Sequence, residues 1–328
     1  MALFDLPLAE LERYRPEIPE PPDLDAFWAA TLAESRAVGD PVSVVPVDTG
    51  LTLVDTWDVT FAGFGGHPVR AWYTRPAGVD TDLPAVVEFL GYGRGRGLPT
   101  ERLTWANAGY AHLLMDTRGQ GGQYGNGGDT PDPVGSDAAA PGFVTRGILD
   151  PSTAYYRRVY TDGVRAVDAV RTLPGVDPTR VAVLGNSQGG GIALAVAGLV
   201  PDLAAVAASA PFLCHVQRAV GLVDTEPYAE IVRYLSVHRD AAPAVFRTLS
   251  YLDAASLVRR ARAAVLVGTG LRDTVCPPST AFAAYHAYAD GDPTVPRDIA
   301  VYPFNHHEGG DAHHVSRVLT WFATHLLP

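Results

Sequence analysis

The stretch that most restricts the fold runs from residue 180 to residue 199. Arg180 to Leu184 ends in an apolar run that reads as a buried strand, and it stops at Gly185. Gly185-Asn186-Ser187-Gln188-Gly189 follows, and then Ile192 to Ala197, which reads as a helix. Strand, G-x-S-x-G and helix in that order are the context of a nucleophile elbow. So tight a turn forces a strained backbone on Ser187, while glycines two residues before and after it let strand and helix approach. The Ser187 hydroxyl is thereby lifted clear of the sheet. The N–H of Gln188 points to where an oxyanion would form. The competing reading is a Gly-rich loop with an incidental serine, and the placement between strand and helix favours the elbow.

The rest of the chain supplies a sheet for that elbow. Residues 42–76 alternate apolar and polar positions, with Phe64-Gly65-Gly66 as a turn, and predict early antiparallel strands. Strands are then expected at Ala85–Leu90, Ala111–Met115, Arg180–Leu184, Ala204–Ala208, Ala263–Val267 and Asp298–Tyr302. Helices are expected at Asp23–Ser35, Ala154–Leu173, Gln188–Leu199, Ser279–Ala289 and His313–Leu327. Alternating apolar strands and helices predict a mostly parallel sheet covered on both faces, with reactive groups beyond the carboxyl ends of the strands. Residues 116–152 form a Gly-, Pro- and Asp-rich connection too long to be ordinary. Residues 211–260 read as a mostly helical insertion between two strands. Residues 1–22 are Pro-rich and are expected to wrap over the surface. Nothing divides the chain, so one domain spanning residues 1–328 is expected.

Composition bounds the function. With 25 basic and 36 acidic residues the net charge is −11, and no basic run occurs. Nucleic acid and anionic membrane are therefore poor partners, and a neutral substrate is a better one. Cys214 and Cys276 lack metal-ligand spacing and read as buried free thiols. The first residues do not read as a secretory signal and no run spans a bilayer, so the expected location is cytoplasmic.

A serine nucleophile needs a base, and the base needs a carboxylate to orient it, in the chain order Ser, acid, His. The strand Ala263–Val267 leads into Gly268-Thr269-Gly270-Leu271-Arg272-Asp273, which puts Asp273 just past a strand end. The last strand leads into Pro303-Phe304-Asn305-His306-His307-Glu308. Spacing does not choose between His306 and His307, and His313 and His314 lie further on, at the start of the last helix. These histidines have no partner cluster that would make a metal site. A second oxyanion donor is expected after an earlier strand, at the backbone N–H of Tyr92 in Gly91-Tyr92-Gly93-Arg94-Gly95.

With these residues in view the chain resembles the acetyl xylan esterase and cephalosporin C deacetylase family, the seventh carbohydrate esterase family, of the α/β-hydrolase superfamily. The matching segments span nearly the whole length. They are Leu3 to Pro7 with Tyr14-Arg15-Pro16, Asp116 to Gly121 with its Arg-Gly-Gln, Gly142 to Ile148 with Tyr156-Arg157-Arg158, Ser187-Gln188-Gly189-Gly190, Pro211 to His215, Cys276 to Thr280, and His307-Glu308. The resemblance implies an α/β-hydrolase fold, with Ser187 as nucleophile, Asp273 as acid and His307 as base. It also implies Tyr92 and Gln188 as oxyanion donors, Tyr92 as a substrate-binding residue, and no cofactor or metal. Implied substrates are short acetylated xylo-oligosaccharides and acetylated cephalosporins. The implied assembly is a cytoplasmic homohexamer whose sites face an internal chamber. His306 departs from the Asn or Gly usual before the histidine, and residues 122–137 match less well. Arg118 and Gln120 read as organisers of the site. The rival readings are a small-ester or peptide hydrolase of the same fold and a non-catalytic hydrolase-fold binding protein. Peptidases of this kind usually carry a propeller domain, absent here, and non-catalytic relatives generally lose the nucleophile or the base.

Overall fold

The computed structural model describes residues 4–39, 42–134 and 142–327. Leu3 of the first matching segment and residues 135–137 of the divergent stretch lie outside the described residues. One nine-stranded sheet organises the chain, in the order β1-β2-β3-β5-β4-β6-β7-β8-β9. The strands are β1 (Val42–Val47), β2 (Val54–Ala62), β3 (Pro68–Pro76), β4 (Leu83–Phe89), β5 (Ala111–Met115), β6 (Val176–Asn186), β7 (Ala205–Ser209), β8 (Ala264–Gly270) and β9 (Arg297–Tyr302). The first three pair antiparallel, β3 pairs antiparallel with β5, and every later pairing is parallel. This is the mostly parallel α/β-hydrolase arrangement that the alternation of apolar strands and helices predicts.

The helices are α1 (Leu8–Leu11), α2 (Leu24–Ala37), α3 (Thr104–Asn107), α4 (Tyr155–Val170), α5 (Gln188–Leu199), α6 (Val216–Leu222), α7 (Tyr228–Val237), α8 (Ala242–Ser250), α9 (Ala254–Leu257), α10 (Pro278–Ala287) and α11 (Asp311–Leu326). Helices α6 to α9 make up the expected insertion. The larger apolar core joins α4, α5 and α2 to one face of the sheet, through residues such as Val159, Ile192 and Trp28. A smaller core packs Phe322 and Val318 of α11 and Trp105 of α3 on the other face. Helices on both faces explain why the central strands lack alternation: β4, β5, β7 and β8 are buried at nearly every position.

Sequence and structure differ in details. β6 begins at Val176 rather than Arg180, because Val176 bridges Leu83 before a register irregularity. Helix α4 ends at Val170 rather than Leu173. The N-terminal segment lies on the surface yet is tied down. The Asp5 carboxylate pairs with Arg218 at 2.8 Å and accepts the Ser279 N–H at the start of α10, while Leu11 is buried against Leu271 and Phe282. Both cysteines are free and buried. No helix among the described residues is long and apolar enough to cross a membrane.

Candidate active site

The turn at the end of β6 is built from absent side chains. A Cβ on Gly185 would lie 2.2 Å from the Gly189 carbonyl carbon, and one on Gly189 would lie 2.1 Å from the Phe89 oxygen. Only glycine lets β6, α5 and the end of β4 come this close. Between them Ser187 takes φ 57° and ψ −118°. Such a conformation costs about 1–3 kcal/mol and persists only where its surroundings over-determine it. They do so here. The Ser187 N–H donates to the Ser209 carbonyl at 2.9 Å, and the Ser187 carbonyl accepts from Phe212 at 2.9 Å.

The seryl hydroxyl meets Nε2 of His307 at 2.9 Å, and Nδ1 of His307 meets Oδ2 of Asp273 at 2.9 Å. Asp273 is fully buried, and its other oxygen accepts the N–H groups of Val275 and Cys276 at 2.8 and 2.9 Å. The carboxylate is therefore fixed from both sides and holds the imidazole by one edge. The loops carrying the two residues are joined. Leu271 N–H bonds the Tyr302 carbonyl, and Arg272 N–H bonds the Asn305 carbonyl. Gly270 permits this, since a Cβ there would fall 2.3 Å from the His306 oxygen.

His306, which spacing leaves as a candidate, turns away. Its Nδ1 lies 2.9 Å from the Arg272 carbonyl, and its side chain is exposed. Glu308 accepts from the Asn305 side chain and the His306 N–H, so it shapes the loop rather than the imidazole of His307. His314 is buried on α11, where burial pushes its pKa down to about 4, and its Nδ1 meets the Tyr302 hydroxyl. His313 is exposed on the same helix.

Gln188 opens α5, so its N–H has no intrahelical acceptor, and the Tyr92 N–H has none among the described residues. The side chain of Gln188 has a role that the sequence reading missed. It forms a reciprocal amide pair with Gln120 at 2.8 and 3.2 Å. It also donates to the Leu90 carbonyl and accepts from the Tyr156 hydroxyl. Gln120 in turn accepts the Gly93 N–H at 2.7 Å. The amide pair thus locks the start of α5 to the loop bearing Tyr92. Its signal was present in the Arg-Gly-Gln of residues 118–120, but its partner lies 68 positions away.

The Tyr92 side chain is held separately. It donates to Glu230 of α7 and accepts the Phe143 N–H at 2.6 Å. Glu230 also accepts the Val144 N–H. Burial drives the Glu230 carboxyl up to about 7, against the lowering effect of those donors. Arg118, fully buried, forms a forked pair with Asp162.

A fixed serine, imidazole and carboxylate beneath two unengaged N–H donors can carry out acyl transfer through a tetrahedral intermediate. Three of the expected residues are thus joined in one chain of contacts, and the two expected donor positions lie on adjoining loops.

The family model described as acetyl xylan esterase (AXE1) matches residues 1–325. The acetyl esterase Axe7A of Xylanibacter ruminicola is 28% identical over an alignment of 304 residues that covers 90% of this chain. The chain spans 65% of the length of that relative. An acetyl xylan esterase from Paenibacillus sp. R4 superposes with a TM-score of 0.91 at 37% identity, covering 98% of this chain and 100% of that one. Acetyl xylan esterase 1 from Thermoanaerobacterium sp. JW/SL YS485 superposes with a TM-score of 0.88 at 32% identity, covering 99% of this chain and all of its own. The family model, the two full-length superpositions and the residues at the end of β6 agree, and the chain belongs to the acetyl xylan esterase family.

Proposed function

We propose that this chain is a serine carbohydrate esterase that removes acetyl groups from short acetylated xylo-oligosaccharides and accepts cephalosporin C-type acetyl esters. The observation that supports it most directly is the unbroken hydrogen-bond chain from Ser187 through His307 to Asp273. In this reading His307 takes the Ser187 proton as Oγ attacks the acetyl carbonyl, and Asp273 holds the resulting imidazolium. The backbone N–H groups of Tyr92 and Gln188 receive the oxyanion, each donor being worth on the order of 10²–10³ in rate. The C–O bond to the sugar then breaks, and the departing sugar oxygen takes the proton from His307. Water, deprotonated by the same imidazole, attacks the acetyl-serine and releases acetate. Residues 1–328 act as one domain, and the scheme needs no cofactor. Family resemblance supports a cytoplasmic homohexamer with an internal chamber, which would exclude polymeric xylan.

The test is acetate release from acetylated xylobiose and cephalosporin C, with p-nitrophenyl acetate and an amide analogue beside them. Ser187→Ala and His307→Ala are expected to lower kcat by on the order of 10⁴–10⁶ with unchanged circular dichroism, while His306→Asn stays within a few-fold of wild type. Wild-type turnover by Ser187→Ala would sink the assignment. Faster cleavage of the amide than of the ester would make the chain a peptidase, and no turnover of any substrate a binding protein.

A further inference from the structure

A cavity of about 330 Å³ opens beside the elbow, on the face of the sheet covered by α3 and α11. Its volume is at the lower end of the range of small-molecule sites, about 300–1,000 Å³. Gly91, Asn186 and Glu308 line it, and each is the immediate chain neighbour of Tyr92, Ser187 or His307. The cavity therefore adjoins the reacting centre from the side of the residue that precedes the serine.

Several polar groups in its wall, the Asn186 amide and the Ser209 and Tyr124 hydroxyls among them, have no partner among the described residues, whereas Glu88, Arg94, Arg102 and Trp105 are engaged. Asn186 is exposed at this cavity, although it is the last residue of β6, whose preceding positions 181–185 are mostly buried. Polar groups of mixed kind lining a concavity are the groups that orient a small polar ligand. The charges in the wall narrow its class. Arg102 already pairs with Glu88, and Arg94 with Glu101. No unpaired cation remains among these wall residues to hold an anion, and the amide and hydroxyl groups match a neutral polyhydroxyl group. Tyr124 supplies the apolar surface that a sugar ring needs. Its ring is half exposed, it is steadied by the Arg94 guanidinium 5.9 Å from its centroid, and its hydroxyl lies 3.2 Å from where a Cβ on Gly91 would sit. Gly91 is thus the residue that lets this phenol reach the loop bearing Tyr92.

We propose that this cavity is the subsite for the sugar from which the acetyl group departs, with Tyr124 as the ring platform and Asn186 and Ser209 as hydroxyl contacts. The assignment rests on the esterase reading above and adds where the leaving alcohol sits. Tyr124 lies in the stretch that departs from the family pattern, so the subsite is a place where this chain sets its own preference among acetylated sugars.

The experiment titrates xylobiose, which carries no acetyl group, into wild type, Tyr124→Ala and Val315→Trp by isothermal calorimetry. It then measures kcat/KM of the same proteins on acetylated xylobiose and on p-nitrophenyl acetate. Val315 is exposed on α11 at the cavity wall, so a tryptophan there adds bulk to the wall without replacing Ser187, His307 or Asp273. Expected is xylobiose binding by wild type, weakened about tenfold or more in both variants. The ratio of kcat/KM between the acetylated sugar and p-nitrophenyl acetate should fall by a similar factor, chiefly through KM. Equal xylobiose affinity in all three proteins, or no binding to wild type, overturns the subsite, and acetate release from acetylated xylobiose would then leave the esterase reading standing. Binding that is weakened in both variants, in a protein that releases no acetate, would keep the subsite and remove the esterase.

Discussion

Two glycine-rich segments border the Ser187–His307–Asp273 contacts and are held by different means. Residues 185–191 are fixed by backbone on backbone. Cβ atoms at Gly185, Gly189 and Gly191 would fall 2.2, 2.1 and 2.0 Å from main-chain atoms of Gly189, Phe89 and Phe212. Residues 116–134 are held by charged side chains as well as by close backbone contacts such as Gly121 on Gly128. The Asp116 carboxylate accepts N–H groups of Arg96, Asp129 and Thr130, Arg118 forks onto Asp162, and Asp132 pairs with Arg158 at 2.8 Å. The first segment keeps its shape whatever the ionisation of its surroundings. The second depends in addition on its ion pairs, some of which reach across to α4. Close packing tolerates no added atom, whereas an ionic scaffold tolerates no lost partner.

Gly189→Ala attacks the first segment. One methyl group must displace the Phe89 carbonyl at the base of the loop that carries Tyr92, so activity is expected to fall by on the order of 10² or more, read as kcat on p-nitrophenyl acetate. Wild-type kcat would mean that the elbow yields and that the contrast between the segments is false. Asp162→Asn attacks the second. It leaves the Arg118 guanidinium buried with half of its partner and weakens the acceptor of the Phe64 N–H, so a loss of about 3–5 kcal/mol in urea unfolding is expected. Hydrogen exchange should rise across residues 116–134 and stay unchanged in α5. A uniform rise would show the two segments to be one cooperative unit.

The smallest effect concerns the carboxyl that touches both Tyr92 and Val144. Burial raises Glu230 from its ordinary 4.5 to about 7, so the folded chain holds this proton more tightly than the unfolded chain. Its stabilisation is complete below about pH 4.5 and is lost as pH rises through about 7. The expected result is a Tm that declines across that window in wild type and declines less in Glu230→Gln. Asp253, raised by burial to about 6, adds a slope of the same sign that the substitution leaves in place. Identical slopes would remove Glu230 from the account.

The legibility of the sequence follows the same division. The elbow, the strand ends that place Asp273 and His307, and the parallel sheet were readable because each depends on residues close together in the chain. His306 and His307 were not separable by spacing. The choice is made by the Arg272 carbonyl, which takes His306 out of reach of the serine, and that contact spans 34 positions. The amide pair of Gln120 and Gln188, the Glu230 anchor and the unpartnered wall of Asn186, Ser209 and Tyr124 were invisible for the same reason. Each is a meeting of distant segments that leaves no periodicity behind. The short helices α1 and α3, of four residues each, carry too few positions for a pattern.

The tie at Asp5 has a consequence for the order of events in folding. Its partners stand 213 and 274 positions downstream. A contact of such separation closes only after the entropy of the intervening loop has been surrendered, which makes it a late arrival. On a ribosome it cannot form at all until α10 has been made. The segment around Asp5 therefore waits without these partners while the sheet assembles behind it. When it docks, it clasps the insertion to the helix that follows the Asp273 loop, so this segment acts as a late latch.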